Sequence, residues 1–396
     1  MLNNRQLFLQ HNAQTTFFPL LLEMERAEGV YMWDVNGKRY LDLISGIAVS
    51  NVGHGNHKVI AAITKQAQSY MHLMVYGEFV QGPQVLFAQK LCALLPQNLQ
   101  NIYFVSSGAE AIDGALKLAK RYTGRFKTIS CKNAYHGSSQ GVLSIMGSET
   151  YKNAYRPLIP GNTIVEFGNF DDLNLIDETV ACVVIETVQG EAGIRTASAA
   201  YFLALKAACK KHGVLLVLDE IQCGMGRTGK MFAFEHYGIV PDILCLSKSL
   251  GGGMPIGAFI SSSQIMQSLA HSPMLGHITT FGGHPVCCAA GLAALEFVLD
   301  NNLIDEVKEK ELLFRSKLIH HKIQEIRGVG LLLAIQFDSF ENNKKIIDCC
   351  IKNGLICDWF LFCDNAMRLA PPLIISDNEI DEACKIILKS IDEVIT

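Results

Sequence analysis

Short apolar runs alternate with longer segments of helical periodicity through the middle of the chain. Runs of four or five apolar residues bounded by polar residues or glycine are typical of buried strands. The predicted strands are 102–105, 181–185, 214–218 and 243–246. Residues 111–121 and 199–211 place apolar side chains at helical spacing without an internal proline, which predicts helices. This alternation predicts an α/β core, a mostly parallel sheet wrapped in helices.

The two ends of the chain show a different pattern. Residues 29–40 predict two short strands around the Asn36-Gly37 turn. Beyond Pro285 we predict helices over 286–299 and 303–326, strands near 331–337 and 367–369, and a terminal helix that begins at a capping box in 376–379. We therefore expect a small α+β domain formed by both termini. The predicted division is an N-terminal segment (1–48), a large domain (49–285) and a C-terminal domain (286–396).

Composition limits the classes of protein that remain. With 396 residues the chain is longer than one hydrophobic core usually supports, which favours two domains. Hydrophobic residues make up 49% of the chain and charged residues 18%, so we expect large buried sheets and an oligomer interface. The formal net charge is only −4 and no long run of like charge occurs, which disfavours a nucleic-acid partner.

Cysteine usage and the hydropathy profile indicate the compartment. Thirteen cysteines are present without a Cys-x-x-Cys spacing, so we expect reduced thiols and no metal site. The first residues are polar and do not resemble a secretory signal. No apolar run reaches the roughly 18 residues of a membrane helix. These features predict a cytoplasmic protein without a membrane partner.

The most informative candidate chemistry is an acid and a lysine. Asp219 ends a predicted buried strand, and Lys248 follows between two serines, directly before a glycine turn. Pyridoxal phosphate (PLP) needs a lysine amine for its aldehyde and a carboxylate for its pyridine nitrogen. Taken singly, Lys248 could be a surface lysine and Asp219 a turn acid. A third motif, the small residues 106–109 between a predicted strand and helix, suits a phosphate and favours the cofactor interpretation.

Two further motifs have more ordinary explanations. Residues 224–230 match G-x-G-x-x-G and nearly match a P-loop, but Met231 stands where the P-loop has Ser or Thr. No helix is predicted to begin at these glycines, so a nucleotide site is disfavoured. His136 could be a general base, but we favour a structural hydrogen bond near the pyridine end of the cofactor.

Many ordered segments together resemble the class III, ornithine/acetylornithine-type aminotransferases of the fold-type I PLP family. The resemblance runs from about residue 18 to residue 375. Its segments are GVYMWDVNGKRYLD from 29, SGIAV from 45, SSGAEA from 106, YHG from 135, ETVQGEAG from 186, LDEIQCGMGRTGK from 218, LSKSLGGGMPIGA from 246, TTFGGHP from 279 and MRLAPPL from 367.

The resemblance implies a role for each cofactor-binding residue. Lys248 would form the Schiff base and Asp219 would hold the pyridine nitrogen. The phosphate would be bound by Ser107, Gly108 and Ala109, and by Thr280 of the neighbouring subunit in a homodimer. Tyr135 would stack on the ring opposite Ile221, and Gln222 would reach the ring hydroxyl.

The resemblance also implies the substrates. Arg368 would bind the α-carboxylate of glutamate or 2-oxoglutarate, and Glu191 would neutralise Arg368 when the donor lacks that carboxylate. The implied reaction moves the terminal amine of N-acetylornithine or ornithine to 2-oxoglutarate by a ping-pong mechanism. Two substrate-binding positions depart from the family: Ser138 replaces an arginine that holds the distal carboxylate, and Phe18 stands where ornithine enzymes often carry tyrosine.

These departures leave alternatives open. An ω-amino acid, 4-aminobutyrate or diamine aminotransferase would also suit a neutral residue at Ser138. An aminomutase or a noncatalytic PLP-binding protein could share the fold.

Overall fold

A computed structural model describes residues 2–394 of the chain. Its strands are β1 (Met24–Glu28), β2 (Tyr31–Asp34), β3 (Arg39–Asp42), β4 (Asn101–Val105), β5 (Lys127–Cys131), β6 (Asn162–Val165), β7 (Val180–Glu186), β8 (Leu215–Asp219), β9 (Ile243–Leu246), β10 (Gly257–Ser261), β11 (Glu325–Val329), β12 (Leu332–Gln336), β13 (Leu355–Ile356), β14 (Asp358–Phe360) and β15 (Cys363–Leu369). Its helices are α1 (Asn4–His11), α2 (Ser45–Ala48), α3 (His57–Ser69), α4 (Gly82–Cys92), α5 (Gly108–Thr123), α6 (Gln140–Leu143), α7 (Glu149–Lys152), α8 (Ala199–His212), α9 (Ser263–Met266), α10 (Pro285–Asp300), α11 (Leu303–Lys317), α12 (Phe340–Lys352) and α13 (Asp377–Val394).

A seven-stranded sheet in the order β4-β10-β9-β8-β7-β5-β6 forms the centre of the molecule. β10 is antiparallel to both of its neighbours, whereas the strands from β9 to β6 run parallel to one another. Every residue of β7 and β8 is buried, which explains why these strands are continuous apolar runs. The predicted α/β core with its mostly parallel sheet is confirmed.

Two predicted helices flank this sheet and have well-defined ends. Ser107 caps α5 by accepting a hydrogen bond from the Glu110 N–H at 3.2 Å, and the left-handed Gly124 ends that helix. Ser198 and Gly213 bound α8 in the same way. Both helices bury apolar side chains, so the helical spacing seen in the sequence corresponds to their packed faces.

The termini meet in a second sheet, β1-β2-β3-β13. The predicted hairpin is confirmed as β2 and β3, and Leu41 of β3 pairs in parallel with Leu355 of β13. A third sheet, β11-β12-β15-β14, is built entirely from C-terminal residues. We predicted that the two termini join in one small domain, and the pairing of β3 with β13 is a contact of that kind. The domain boundaries 1–48, 49–285 and 286–396 stay a prediction.

The helix predicted over 303–326 is wrong beyond Lys317, where α11 ends. Residues 325–329 form β11 instead, an edge strand that pairs antiparallel with β12. The strand is largely half-buried and carries Glu325 and Arg327, so its polar composition resembles a continuation of the charged helix before it. The capping box of α13 is confirmed, because the Glu379 carboxylate accepts from the Ser376 N–H at 2.7 Å.

Among the helices of residues 2–394, none is by itself long and apolar enough to cross a membrane. The pair α10 and α11 has sufficient length and apolar character together, with a bend of 69° between them.

Candidate active site

Four segments that carry predicted site residues converge at one edge of the central sheet. β4, β7, β8 and β9 all end there, because β4 runs in the same direction as β9 across the antiparallel β10. The carboxyl edge of an open α/β sheet is where ligands bind in such folds. Here it borders a cavity of about 240 Å³. The predicted site residues in its wall are Gly108, Ala109, Tyr135, Ser138, Glu191, Asp219, Ile221, Gln222 and Lys248.

Asp219 ends β8 and is almost fully buried. One carboxylate oxygen accepts from the Ile221 N–H at 3.0 Å, and the other lies 2.7 Å from His136 Nδ1. Burial acts to lower the pKa of His136, but the hydrogen bond with Asp219 and the nearby negative charges outweigh it and raise that pKa overall. A protonated His136 would stabilise Asp219 as an anion.

Lys248 follows β9 and begins the short 3₁₀ turn Lys248–Gly251. It lies in the cavity wall, not on the outer surface, and its φ of +51° is left-handed. Loss of hydration lowers the pKa of its amine, although Glu191 acts in the opposite direction. An amine with a lowered pKa in a closed site can act as a nucleophile and carry protons.

Gly108 opens α5 at the point where the helix approaches the strand-end loops. A Cβ at this position would come within 2.9 Å of Ile221 Cδ1, so glycine allows the close approach without displacing the Ile221 side chain. The first two residues of α5, Gly108 and Ala109, therefore line the cavity at the positive end of the helix. Ser107 caps the helix directly before these residues.

Arg368 and Glu191 form a buried ion pair at the side of the cavity. The two terminal guanidinium nitrogens of Arg368 donate to the two Glu191 oxygens at 2.7 and 3.0 Å. Burial acts to raise the pKa of Glu191, but Arg368 outweighs it and lowers that pKa overall. Gln222 lies between Lys248 and Arg368. With its amide oxygen turned toward these two side chains, it accepts from Lys248 Nζ at 3.1 Å and from Arg368 at 3.2 Å.

The departures from the family pattern fall in different places. Ser138 lies in the cavity wall, 3.2 Å from the Tyr135 hydroxyl, and presents no charge. Phe18 is 89% exposed on the extended N-terminal segment, and Thr280 is exposed beyond α9. A single chain therefore brings neither Phe18 nor Thr280 into the wall of this cavity.

Two carboxylates that the sequence analysis did not single out are part of the same region. Glu186 ends β7 opposite Asp219 in the sheet register, and burial raises its pKa to about 7. Its position at the end of an apolar strand is the signal that identified Asp219. Asp358 accepts from Arg368 Nε at 3.0 Å, and burial raises its pKa to about 6.

The glycine segment 224–230 has a structural role in this chain. No helix begins directly from its glycines. Arg227, which is fully buried, donates to the Leu331 and Pro371 carbonyls and to the Asn51 side chain. Through Arg227, the segment is therefore hydrogen-bonded to three parts of the chain that are distant in sequence.

Comparison with known proteins identifies the family. The family model of the class-III aminotransferases matches residues 12–391. The chain belongs to the class-III aminotransferases. The resemblance stated from the motifs is confirmed, and so is the fold-type I α/β architecture that it implied.

Individual relatives of this aminotransferase agree with the family. An acetylornithine aminotransferase of Methanocaldococcus jannaschii is 38% identical, with 93% of this chain and 92% of the relative aligned. One from Caldanaerobacter subterraneus is 36% identical over 95% and 96%. The crystallised ornithine aminotransferase of Toxoplasma gondii, with PLP at partial occupancy in its active site, has a TM-score of 0.91 at 29% identity. That match covers 98% of this chain and 93% of the Toxoplasma chain.

Proposed function

We propose that this aminotransferase uses PLP to move the terminal amino group of an ornithine-like donor to 2-oxoglutarate. N-acetylornithine and ornithine are the first candidate donors, because the relatives named above are acetylornithine and ornithine aminotransferases. The donor and the keto acid would react in turn, in a ping-pong sequence. With N-acetylornithine as the donor, the reaction would belong to arginine biosynthesis.

The convergence of Lys248 and Asp219 on one cavity carries this proposal. Bound PLP supplies an aldehyde for exchange with amines and a ring that takes up electrons. Lys248 would hold the aldehyde, and Asp219, paired with His136, would hold the pyridine nitrogen. The first turn of α5 suits a phosphate, because Gly108 leaves room where a Cβ would meet Ile221. Tyr135 and Ile221 are the apolar walls proposed for the two ring faces.

Lys248 is also the proposed proton carrier. Once free, its Nζ would take a proton from the substrate carbon and deliver it to the former aldehyde carbon (C4′) of the cofactor, and the second half-reaction would run this transfer in reverse. The lowered pKa of this amine increases the fraction that is unprotonated and able to act as a base. Gln222, which contacts Lys248 Nζ in the orientation described above, would help to keep the amine in the cavity.

The ion pair of Glu191 with Arg368 is proposed to distinguish the two substrates. While the pair is closed, the guanidinium is neutralised, and the cavity suits a terminal amine without an adjacent carboxylate. A keto acid would need both terminal nitrogens of Arg368, which Glu191 now occupies. Glu191 must therefore move before the acceptor binds.

Ser138 favours a second candidate function within the same chemistry. Where the family usually presents an arginine to a distal carboxylate, this cavity presents a hydroxyl 3.2 Å from Tyr135. Losing a bidentate clamp weakens binding of a distal carboxylate by a few kcal/mol. An ω-amino acid, 4-aminobutyrate or diamine aminotransferase is therefore the alternative.

A homodimer completes the proposal. The exposed position of Thr280 is compatible with contact to the phosphate site of a partner subunit. Large apolar side chains near it in sequence are also exposed, including Met274 at 78% and Phe281 at 57%, as is Val80 at 93%. All thirteen cysteines are free thiols, which supports a reducing, cytoplasmic location.

To identify the amino donor, the purified holoenzyme is mixed with single amines in the absence of a keto acid. N-acetylornithine, ornithine, 4-aminobutyrate, lysine and simple diamines are compared by the absorbance change of the bound cofactor. A rapid change with N-acetylornithine supports the first candidate. A change only with the other amines supports the alternative, and no change with any amine contradicts an aminotransferase that acts on terminal amines.

The Lys248→Ala variant tests the proposed catalytic role of Lys248. The variant should lose turnover while it still binds PLP, because Asp219 and the α5 turn remain. Normal turnover would contradict the assignment of Lys248. Net transfer of the amine to external 2-oxoglutarate by the wild-type enzyme separates an aminotransferase from an aminomutase.

A further inference from the structure

Arg368 is held by two carboxylates on different sides of its guanidinium group. Glu191 accepts from the two terminal nitrogens, as described above, and Asp358 accepts from Nε at 3.0 Å. One terminal nitrogen also donates to the Trp359 carbonyl at 3.3 Å, and the Phe360 ring centroid lies 4.6 Å from the guanidinium carbon. The side chain of Arg368 is only 2% exposed. Its orientation is thus fixed from several directions.

The two carboxylates differ in how firmly the fold places them. Asp358 lies on β14 and is the direct cross-strand partner of Arg368 on β15, so sheet register sets their distance. Glu191 lies in a loop between Gly190 and Gly193, where the φ of Gly193 is +83°, and apart from Arg368 and Gln222 its carboxylate accepts one backbone hydrogen bond, from the Leu361 N–H at 3.2 Å. The Glu191 carboxylate occupies the two terminal nitrogens that an incoming carboxylate would need. Glu191 is therefore the partner suited to leave, and Asp358 the partner suited to stay.

We propose that Asp358 is a positioning residue that holds Arg368 in place while the keto acid replaces Glu191. This inference rests on the proposed exchange of Glu191 for the acceptor carboxylate. When Glu191 moves away, Arg368 loses two of its charge-assisted hydrogen bonds at once. The Nε contact to Asp358 then keeps the terminal nitrogens directed at the position that Glu191 has left. Asp358 itself touches neither the donor nor the acceptor.

If Asp358 has this role, its loss should affect the two half-reactions differently. With Glu191 in place, Arg368 keeps a bidentate partner whether or not Asp358 is present. The donor half-reaction should therefore tolerate the loss of Asp358. The acceptor half-reaction should not, because Arg368 would retain only two uncharged acceptors, the Trp359 carbonyl and the Gln222 amide oxygen, and could take other rotamers before the keto acid binds.

The test compares Asp358→Ala, Asp358→Asn and a matched control, Asp364→Ala, in the PLP-loaded enzyme. Asp364 is an exposed acid on the same hairpin, so its removal changes the net charge equally. Stopped-flow absorbance follows the reaction with an amine that wild type accepts, and separately the reaction of the aminated enzyme with 2-oxoglutarate. Melting temperatures verify folding.

For Asp358→Ala we expect the apparent Kd for 2-oxoglutarate to rise by about tenfold or more, the range for losing one hydrogen bond to a charged group. The donor rate constant should stay within about twofold of wild type. Asp358→Asn should recover most of the affinity, because its amide oxygen still accepts from Nε. Asp364→Ala should match wild type. If Asp358→Ala does not fold, Asp358→Ser, whose hydroxyl is too short to replace the carboxylate, carries the same expectation.

Three results would overturn the inference: unchanged or tighter binding of 2-oxoglutarate in Asp358→Ala, equal slowing of both half-reactions, or no recovery in Asp358→Asn. A wild-type enzyme that reacts with none of the amines would instead contradict the proposed function, which is a separate outcome.

Discussion

Replacing Glu191 with glutamine should strengthen binding of the keto acid. In the closed pair, Arg368 donates to Glu191 at 2.7 and 3.0 Å, and the two side chains are only 2% and 7% exposed. Glutamine has the same size but keeps one acceptor oxygen and no charge, so one charge-assisted hydrogen bond is lost. Such a bond contributes about 1.5–3 kcal/mol, which corresponds to roughly ten- to 150-fold in an equilibrium constant. The KM for 2-oxoglutarate should fall by an amount in this range.

The assay is steady-state transamination with both substrates varied, so that ping-pong kinetics yield a KM for each. The rate with the terminal amine should decrease at the same time, because an unneutralised Arg368 attracts carboxylates into the wrong orientation. Glu149→Gln is the matched control, since it breaks an exposed pair with Arg156 at 2.5 Å and Glu149 lies outside the cavity wall. A KM for 2-oxoglutarate that stays constant or rises in Glu191→Gln would refute the exchange of carboxylates on Arg368.

Three further changes have defined outcomes. Ser138→Arg should lower the KM of a donor or acceptor with a distal carboxylate by about tenfold or more, and steady-state kinetics without any change would contradict the proposed position of that carboxylate. Arg227→Met should destabilise the protein by at least about 2 kcal/mol, because buried carbonyl groups lose their donor; an unchanged melting temperature would contradict this. Burial raises the pKa of Glu186 and Glu220 to about 7, so the folded protein holds these protons more tightly than the unfolded chain. The stability that they contribute is present below their ordinary pKa and is lost as the pH rises through about 7. The melting temperature of the cofactor-free protein should therefore fall between about pH 5 and pH 8, and a rise over that interval would contradict the assignment.

The core of the fold could be predicted because a fully buried strand requires an apolar residue at every position, and such a run is visible in the local sequence. β7 and β8 are covered on both faces, so each is an uninterrupted apolar run that can be recognised without knowledge of its neighbours. β11 could not be recognised in this way. Its residues are mostly half-buried at the edge of a sheet, and only pairing with β12, a tertiary contact, distinguishes it from a continuation of α11.

The same distinction applies to the site. Asp219 and Lys248 could be located because Asp219 ends an apolar strand and Lys248 lies two residues beyond another, and parallel strands bring their carboxyl ends together. Asp358 has no such signal. Its contact with Arg368 depends on a hairpin register that contains an irregularity between Trp359 and Phe360, which residue spacing alone does not reveal. Thr280 and Phe18 belong to a third case. The resemblance implied Thr280 at the phosphate of a neighbouring subunit and Phe18 at the substrate, and neither residue lies in the cavity wall of one chain.

The charges around the cavity limit what it can bind at one time. Lys248 is the one lysine or arginine in the described cavity wall, and Arg368 lies behind Glu191. With Ser138 in the wall, a donor with a carboxylate far from its reacting amine finds no second guanidinium there. In the proposed reaction, 2-oxoglutarate would use Arg368 for its α-carboxylate once Glu191 has moved, but its distal carboxylate would meet the same neutral wall. If 2-oxoglutarate is nevertheless the preferred acceptor, its distal carboxylate must be bound by a residue outside this wall, and the proposed homodimer makes the partner subunit the place to search for that residue.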